Sequence, residues 1–218
     1  MRKRISLKTR RPDLSRSEFR QYYETSHVPL GLSFISHFGW LRYIRNHVRS
    51  SRGGLITFDC YTEFWVADDA DDEALYRFLR SKDFRRLDLD DRKFLDISRR
   101  LSFEVRETVL VAHEPVNSDP GNKVVLMWKQ DANPREVAET VAARIVSELS
   151  AHLLLATLDV ALPPVPEESP FDAFLSLIYK TDTPRDIDVS LLPQGRWVLV
   201  DVDAVETPPE KLAAGSIN

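Results

Sequence analysis

Polar and aromatic side chains alternate along two strand-like segments of the sequence. The alternating positions are Tyr43, Arg45 and His47 in the first segment, and Asp59, Tyr61, Glu63 and Trp65 in the second. Because side chains two residues apart on a strand share a face, each set forms one polar face. Histidine and carboxylate groups held together can donate and accept protons, and burial or a nearby cation adjusts their pKa values. We predict that both faces line one cavity.

A second histidine, His27, follows the first predicted helix and precedes Pro29. One interpretation is structural, because an imidazolium at a helix C-terminus is favoured by the helix dipole. The other is catalytic, with His27 or His47 as the base and with Asp59 or Glu63 as the acid or as the carboxylate that orients the base. The sequence does not decide between the two histidines.

Cations and aromatic groups complete the candidate site. Lys8 shares a strand face with Ser6 and Arg4, and Lys8 and Arg45 are predicted to bind an anionic substrate oxygen. The alternative role for both cations is a salt bridge to one of the candidate carboxylates. The remaining predicted substrate-binding residues are Tyr23, Tyr43, Tyr61 and Trp65. A half-exposed sheet whose polar side chains face solvent would show the same alternation.

The apolar periodicity predicts the order βαββαβ in the first half of the chain. The predicted strands cover residues 5–9, 40–48, 56–66 and 101–111, and the helices begin at Ser15 and near Asp72. Ser15 and Glu18 form a capping-box pattern, which marks the start of a helix. Residues 83–100 are assigned only as a polar segment.

The second half repeats this order with a weaker second helix at residues 183–192. We therefore predict an α+β fold in which two ferredoxin-like repeats form an α+β barrel within one chain. The predicted boundaries are a first repeat at 1–113, a linker at 114–122, a second repeat at 123–206 and a loosely ordered tail at 207–218.

Composition limits the partners of the protein. The chain has 34 acidic and 30 basic residues and a formal net charge of -4, which gives no basic field for nucleic acid. No apolar stretch reaches the ~20 residues that span a bilayer, and no signal-peptide core follows Met1. We expect a cytoplasmic protein without a nucleic-acid or membrane partner. The single Cys60 is predicted to be a small apolar filler on a strand.

Three stretches of the first half resemble an EthD domain, which belongs to the dimeric α+β barrel superfamily. They are LKTRRPDLSRSEFRQYYETSHVPL at residues 7–30, LRYIRNHV at 41–48 and DCYTEFWVAD at 59–68. The resemblance implies an antiparallel sheet with helices on one face and a second sheet against the other face, which encloses a cavity. The second half would supply this wall, and a homodimer is a further expectation.

The resemblance also implies a function. Family members include dehydratases and decarboxylases of polyketide-derived aromatic compounds, so we expect a cofactor-independent lyase for a hydrophobic, oxygenated small molecule, with no metal. Two alternatives remain open. The protein could bind a pathway compound without changing it, or it could be a haem-binding barrel with a histidine as the axial ligand.

Overall fold

The structure is a computed structural model that describes most of the chain. The described residues are 1–113, 122–129, 134–167, 169–180, 187–192 and 196–213. Nearly all of the predicted linker, and residues 183–186 at the start of the predicted second helix of the second half, fall outside them. Within 187–192 the chain forms a short 3-10 turn at Val189–Leu191.

Strands and helices alternate in the predicted order. The strands are β1 (Arg2–Lys8), β2 (Trp40–Gly53), β3 (Cys60–Val66), β4 (Leu101–Ala112), β5 (Lys123–Trp128), β6 (Leu153–Ala161), β7 (Ala173–Tyr179) and β8 (Trp197–Glu206). The helices are α1 (Arg16–Tyr22), α2 (Val28–Leu32), α3 (Asp72–Leu79), α4 (Lys82–Phe94), α5 (Pro134–Leu149) and α6 (Pro209–Ala213). A π-helical turn, Tyr23–His27, separates α1 from α2.

The eight strands form a closed barrel in the order β1-β3-β2-β8-β5-β7-β6-β4. The predicted α+β barrel built from two repeats is therefore confirmed. The chain divides into two compact units. The first comprises Met1–His47, Thr57–Ser102 and Glu206–Asn218, and the second comprises Val48–Ile56 and Phe103–Val205.

The core of the first unit lies between its helices and the strands β1, β3 and β2. It includes Phe19, Tyr23 and Phe94 from the helical segments and Tyr43 and Cys60 from the strands. Cys60 is fully buried, as the sequence predicts for an apolar filler. The capping box at Ser15 and Glu18 is also confirmed, since each side chain binds the backbone N–H of the other residue.

Two segments differ from the expectations. The polar segment at 83–100 contains α4, a helix whose N-cap is Ser81. Within the segment predicted to be loosely ordered, 207–218, residues Pro209–Ala213 form α6, and Leu212 packs in the core of the first unit. Its apolar side chain anchors the end of the described chain. Residues 214–218 of that segment lie outside the described residues.

The core of the second unit lies between α5 and its strands. Leu126 on β5, Leu175 on β7 and Leu158 on β6 face Ala142 and Ile145 of α5, and all five are buried. Among the described residues, no helix has the length and apolar character needed to cross a membrane. The cytoplasmic location and the homodimer stay predictions.

Candidate functional site

The strand register divides the predicted polar residues between two faces of the sheet. On β2 and β3, Tyr43 lies opposite Phe64, Arg45 opposite Thr62 and His47 opposite Cys60, and these rows face the helices. Ile44 lies opposite Glu63, and Asn46 lies opposite Tyr61. Residues directly opposite each other on paired strands share a face. The expectation that His47 and Glu63 line one cavity is therefore wrong.

The register pairs odd-numbered residues of β2 with even-numbered residues of β3. The alternation of side chains within a single strand does not show how that strand is aligned with its neighbour. Tyr61, Glu63 and Trp65 point away from the helices, on the same face as Lys3 of β1. There Glu63 forms a buried ion pair with Lys3 at 2.9 Å and accepts a hydrogen bond from Asn46 at 2.8 Å. These contacts give Glu63 a structural environment separate from both candidate histidines.

Asp59 lies just before β3 and stabilises the segment after β1. Its carboxylate accepts hydrogen bonds from the Arg10 backbone at 3.0 Å and from the Arg10 and Arg16 guanidinium groups at 3.2 and 3.3 Å. Neither Asp59 nor Glu63 is the carboxylate that contacts His47. That partner is Glu24, whose Oε1 lies 2.6 Å from His47 Nε2.

His47 and Glu24 belong to a compact ionic cluster on the helix face. Arg45 donates to both carboxylate oxygens of Glu24 at 2.9 and 3.0 Å and to the Thr207 hydroxyl at 2.6 Å. Burial raises the pKa of Glu24, but the hydrogen bonds from His47 and Arg45 outweigh it, so the pKa is lowered. Glu24 is therefore ionised at neutral pH, and this cluster is held by matched charges.

His27 lies in a second cluster, at the end of the π-helical turn. Its Nδ1 lies 3.0 Å from Asp90 Oδ2, and its Nε2 lies 3.5 Å from Asp91 Oδ1. Tyr22 and Lys93 bind the other oxygen of Asp90 at 2.6 and 3.1 Å. The imidazole of His27 is 13% exposed, so part of the ring is in contact with solvent.

The π-helical turn explains why Tyr22 and His27 meet at one carboxylate. In an α-helix, residues five apart point about 140° away from each other, because the helix has 3.6 residues per turn. The turn is wider here, with the Val28 N–H bonded to the carbonyl of Tyr23 five residues earlier. The two side chains consequently reach the two oxygens of Asp90 from the same side.

The surroundings of His27 favour its neutral form. Burial lowers the pKa of His27 most strongly, the negative charges of Asp91 and Asp90 oppose this effect, and the positive charge of Lys8 adds to it. The pKa of Asp90 is also lowered, because the hydrogen bonds from Tyr22, His27 and Lys93 outweigh the effect of burial. A neutral imidazole thus donates Nδ1–H to an ionised Asp90.

Lys8 and Tyr23 lie beside this cluster. Lys8 is 8% exposed, and within the described residues its ammonium has neither a hydrogen bond nor an ion pair. Its Nζ is 5.9 Å from the centre of the Tyr23 ring, and the His27 ring is 5.5 Å from the same ring. Burial lowers the pKa of Lys8, while Asp91 opposes the shift. Lys8 is thus a buried cation available to a ligand oxygen.

Tyr23 separates the two histidine clusters. The Tyr23 and Tyr43 hydroxyl groups are 3.0 Å apart, and the His47 ring is 5.8 Å from the Tyr23 ring on an edge contact. Burial raises the pKa of both tyrosines, so both phenols are protonated at neutral pH. Tyr23 is fully buried, which makes it a wall of the site rather than a group exposed to substrate.

The sequence reasoning missed Glu24, Asp90, Asp91 and Arg100, the last of which binds Asp91 at 2.8 Å. A signal for two of them was present. Asp90 and Asp91 stand three and four residues after Leu87 and precede Phe94, so they lie on the buried stripe of an amphipathic helix. Within the described residues, no group of three metal-binding side chains is placed to hold an ion.

Comparison with known proteins supports the resemblance of the first unit to an EthD domain. Residues 11–98 match the EthD domain family. An EthD family protein from Bacillus halodurans is 18% identical, with 50% of this chain and 100% of that chain covered and a TM-score of 0.37. An anthrone oxidase-like protein is 9% identical, with 94% and 92% covered and a TM-score of 0.51. No curated protein matches the chain in sequence.

Proposed function

We propose that the first unit, in which residues 11–98 match the EthD domain family, is a small-molecule enzyme that works by proton transfer without a cofactor, with His27 as the general base. The observation that carries the proposal is the pairing of His27 Nδ1 with Asp90 at 3.0 Å on a partly exposed imidazole. When Nδ1 carries the proton, the lone pair of Nε2 is free to accept one.

The two carboxylates have different roles. Asp90 fixes the ring orientation and the tautomer, as the hydrogen-bonded carboxylate of a histidine base does. Asp91 lies 3.5 Å from Nε2, the atom that receives the proton, so its charge stabilises the imidazolium that forms during turnover. Arg100 holds Asp91 in place from its other oxygen.

Lys8 supplies the complementary charge. An enolate or phenolate oxygen that develops when a proton is removed is stabilised by a nearby ammonium group. Lys8 suits this role because it is buried beside Tyr23 and, in the described part of the chain, its ammonium is unpaired. A buried charge of this kind interacts more strongly with substrate than a solvated charge does.

These groups fit a lyase reaction, for which we propose dehydration of a hydroxylated carbonyl compound. Nε2 of His27 takes the proton next to the carbonyl, and the electrons of the C–H bond form an enolate held by Lys8. The imidazolium then returns its proton to the leaving hydroxyl, water departs and a C=C bond forms. Decarboxylation uses the same enolate stabilisation, with carbon dioxide as the leaving group. The proposed substrate class is hydrophobic, oxygenated aromatic or polyketide-like.

His27 is a better candidate than His47 because of what each ring contacts. The His47 side chain is 5% exposed, and its Nε2 is engaged at 2.6 Å by a carboxylate that Arg45 also binds. The His27 side chain is 13% exposed. Only its Nδ1 has a hydrogen-bonded carboxylate partner, which is Asp90. His47 therefore fits a structural role in the ionic cluster around Glu24.

The test is a panel of hydroxylated aromatic ketones and aromatic acids, analysed by mass spectrometry for loss of water or carbon dioxide. We expect His27→Gln to lower kcat/KM by about 10²- to 10⁴-fold, the usual contribution of a general base. His152→Gln is the matched control, because His152 is an exposed histidine of the second unit.

Turnover of the same compound by His27→Gln at the wild-type rate would contradict the proposal. Tight binding of a compound that is recovered unchanged would instead support the binding-protein alternative. A shift of the haem Soret band on addition of the purified chain, with haem that co-elutes with the chain in gel filtration, would support the haem alternative, which no described contact favours.

A further inference from the structure

The second unit contains a cavity of about 400 Å³ beside the first half of α5. Its described charged lining residues are Arg106, Lys129, Arg135, Glu139 and Asp172. None of them belongs to the His27 cluster. The volume lies within the range of about 300–1,000 Å³ that small-molecule sites occupy.

One wall of the cavity is apolar and comes from a single stretch of chain. Val160 and Ala161 end β6, and Leu162, Pro163 and Val165 follow directly. Backbone hydrogen bonds fix the wall, from Ala161 N–H to the Asp172 carbonyl at 2.8 Å and from Leu162 N–H to the Glu104 carbonyl at 2.9 Å. A fixed, partly exposed apolar wall gains free energy when a ligand removes it from water.

Three cationic side chains line the cavity together with this apolar wall. Arg106 lies directly across from Val160 in the register of β4 and β6, so its side chain shares the face of the apolar wall. Within the part of the chain that the structure describes, the Arg106 guanidinium has neither a hydrogen bond nor an ion pair. Lys129 lies 3.8 Å from the Asp172 carboxylate, and Arg135 binds Glu139 at 2.8 Å.

We propose that this cavity is a binding site for an organic anion with an apolar body, such as an aromatic or aliphatic carboxylate or sulfonate. Arg106 binds the anionic group, because the two carboxylates of the cavity are already matched by Lys129 and Arg135. The apolar body lies against Val160 and Leu162. The proposal for this site is binding of the anion without a chemical step.

Fluorescence titration with anilinonaphthalene sulfonate tests the proposal, because this dye combines an anionic group with an apolar body. We expect saturable binding with one dye per chain. Arg106→Gln should raise the Kd by about tenfold or more, as expected for loss of a hydrogen bond to a charged group. Arg85→Gln, which removes an exposed arginine of the first unit, should leave the Kd unchanged. N-phenylnaphthylamine, which lacks the charge, should not distinguish these variants.

Val160→Trp is the second variant, because it fills the cavity from a partly exposed position without removing a charge. It should abolish saturable dye binding while the circular dichroism spectrum stays that of the wild type. Equal Kd values for Arg106→Gln and Arg85→Gln would overturn the proposal. Undiminished binding to a folded Val160→Trp variant, or absence of saturable binding to the wild type, would overturn it as well.

Discussion

The helix-facing rows of the two units differ in chemistry although their strands repeat in order. In the first unit, Lys8, Cys60 and His47 form one row across β1, β3 and β2. In the second unit, the row across β8, β5, β7 and β6 consists of the leucines Leu199, Leu126, Leu175 and Leu158. The first unit thus places ionisable groups where the second places only leucine.

The helices that cover these rows differ in the same way. In the first unit, Asp90 and Asp91 occupy the buried stripe of α4, and His27 ends the neighbouring π-helical turn. In the second unit, the helix packed on the leucine row is α5, and its buried residues include Ala138, Ala142 and Ile145. The second unit keeps the scaffold without these ionisable groups, and this difference supports the proposal that proton transfer takes place in the first unit.

The largest expected effect comes from placing a charge in the leucine row. Leu126→Lys should lower the free energy of unfolding by about 3–5 kcal/mol, the cost of a buried charge without a partner. Leu126 lies between Leu175 and Leu199, which offer no acceptor. Urea unfolding followed by far-UV circular dichroism measures the change.

Val109→Lys is the control for this variant, because Val109 is 57% exposed. Its effect should stay within about 0.5 kcal/mol, as is usual for a surface substitution. If Leu126→Lys were as stable as Val109→Lys, the leucine row would not contribute to the stability of the second unit. The proposed contrast between the helix-facing rows of the two units would then be wrong.

A smaller effect is expected from the carboxylate that orients His27. Asp90→Asn should lower kcat/KM by about 10- to 100-fold, because a hydrogen bond to a charged group contributes ~1.5–3 kcal/mol. Asp88→Asn changes a carboxylate of the same helix that binds Arg92 instead, and it should retain wild-type activity. Similar losses of kcat/KM in both variants would show that the activity depends on the integrity of α4 and not on the contact between Asp90 and His27.

Lys8→Met should stabilise the protein by about 1 kcal/mol at pH 7, since it replaces a buried charge with an apolar side chain of similar length. It should also lower kcat/KM, because Lys8 is proposed to hold the substrate oxygen. Urea unfolding and steady-state kinetics measure the two effects. Lys82→Met, at an exposed position, is the control and should change neither.

The pH dependence of the Lys8 effect has a definite sign. The folded state lowers the pKa of Lys8 below 10.5, the ordinary value that the unfolded chain retains. Between those two values the unfolded state binds more protons, so wild-type stability rises with pH. The advantage of Lys8→Met should therefore shrink as the pH approaches 10.5. An advantage that grows over this range would contradict a buried, uncompensated Lys8.

The smallest effect on activity is expected for the second histidine. In His47→Gln, Arg45 still binds Glu24 through both carboxylate oxygens, so the ionic cluster remains. The loss in kcat/KM should be smaller than that of Asp90→Asn. A loss as large as that of His27→Gln would transfer the role of the base to His47.

The sequence predicted the elements better than it predicted which side chains meet. The alternation of side chains within each strand correctly placed Tyr43 on the same face as His47, and Glu63 on the same face as Trp65. It could not show that His47 lies opposite Cys60, because register depends on the connection between the strands and on packing against the helices. A shift of one residue separates the two polar sets onto opposite faces.

The sequence did not predict the helical residues of the site for other reasons. Asp90 and Asp91 made residues 83–100 look like a polar segment, although Leu87 and Phe94 mark the buried stripe on either side of them. The π-helical turn at Tyr23–His27 has no reliable sequence pattern, and it decides which side chains His27 meets. The EthD resemblance was predicted from the quoted stretches and is confirmed at residues 11–98.

The most direct test of the account is an NMR titration of the His27 imidazole, which requires no substrate. The His27→Gln variant identifies its ¹⁵N resonances. We expect a pKa below the ordinary value of 6.5, because burial outweighs the two aspartates, and the tautomer with a proton on Nδ1 at pH 7. A proton on Nε2 at pH 7 would contradict the assignment of His27 as the base, and a pKa above 7 would contradict the neutral imidazole on which that assignment depends.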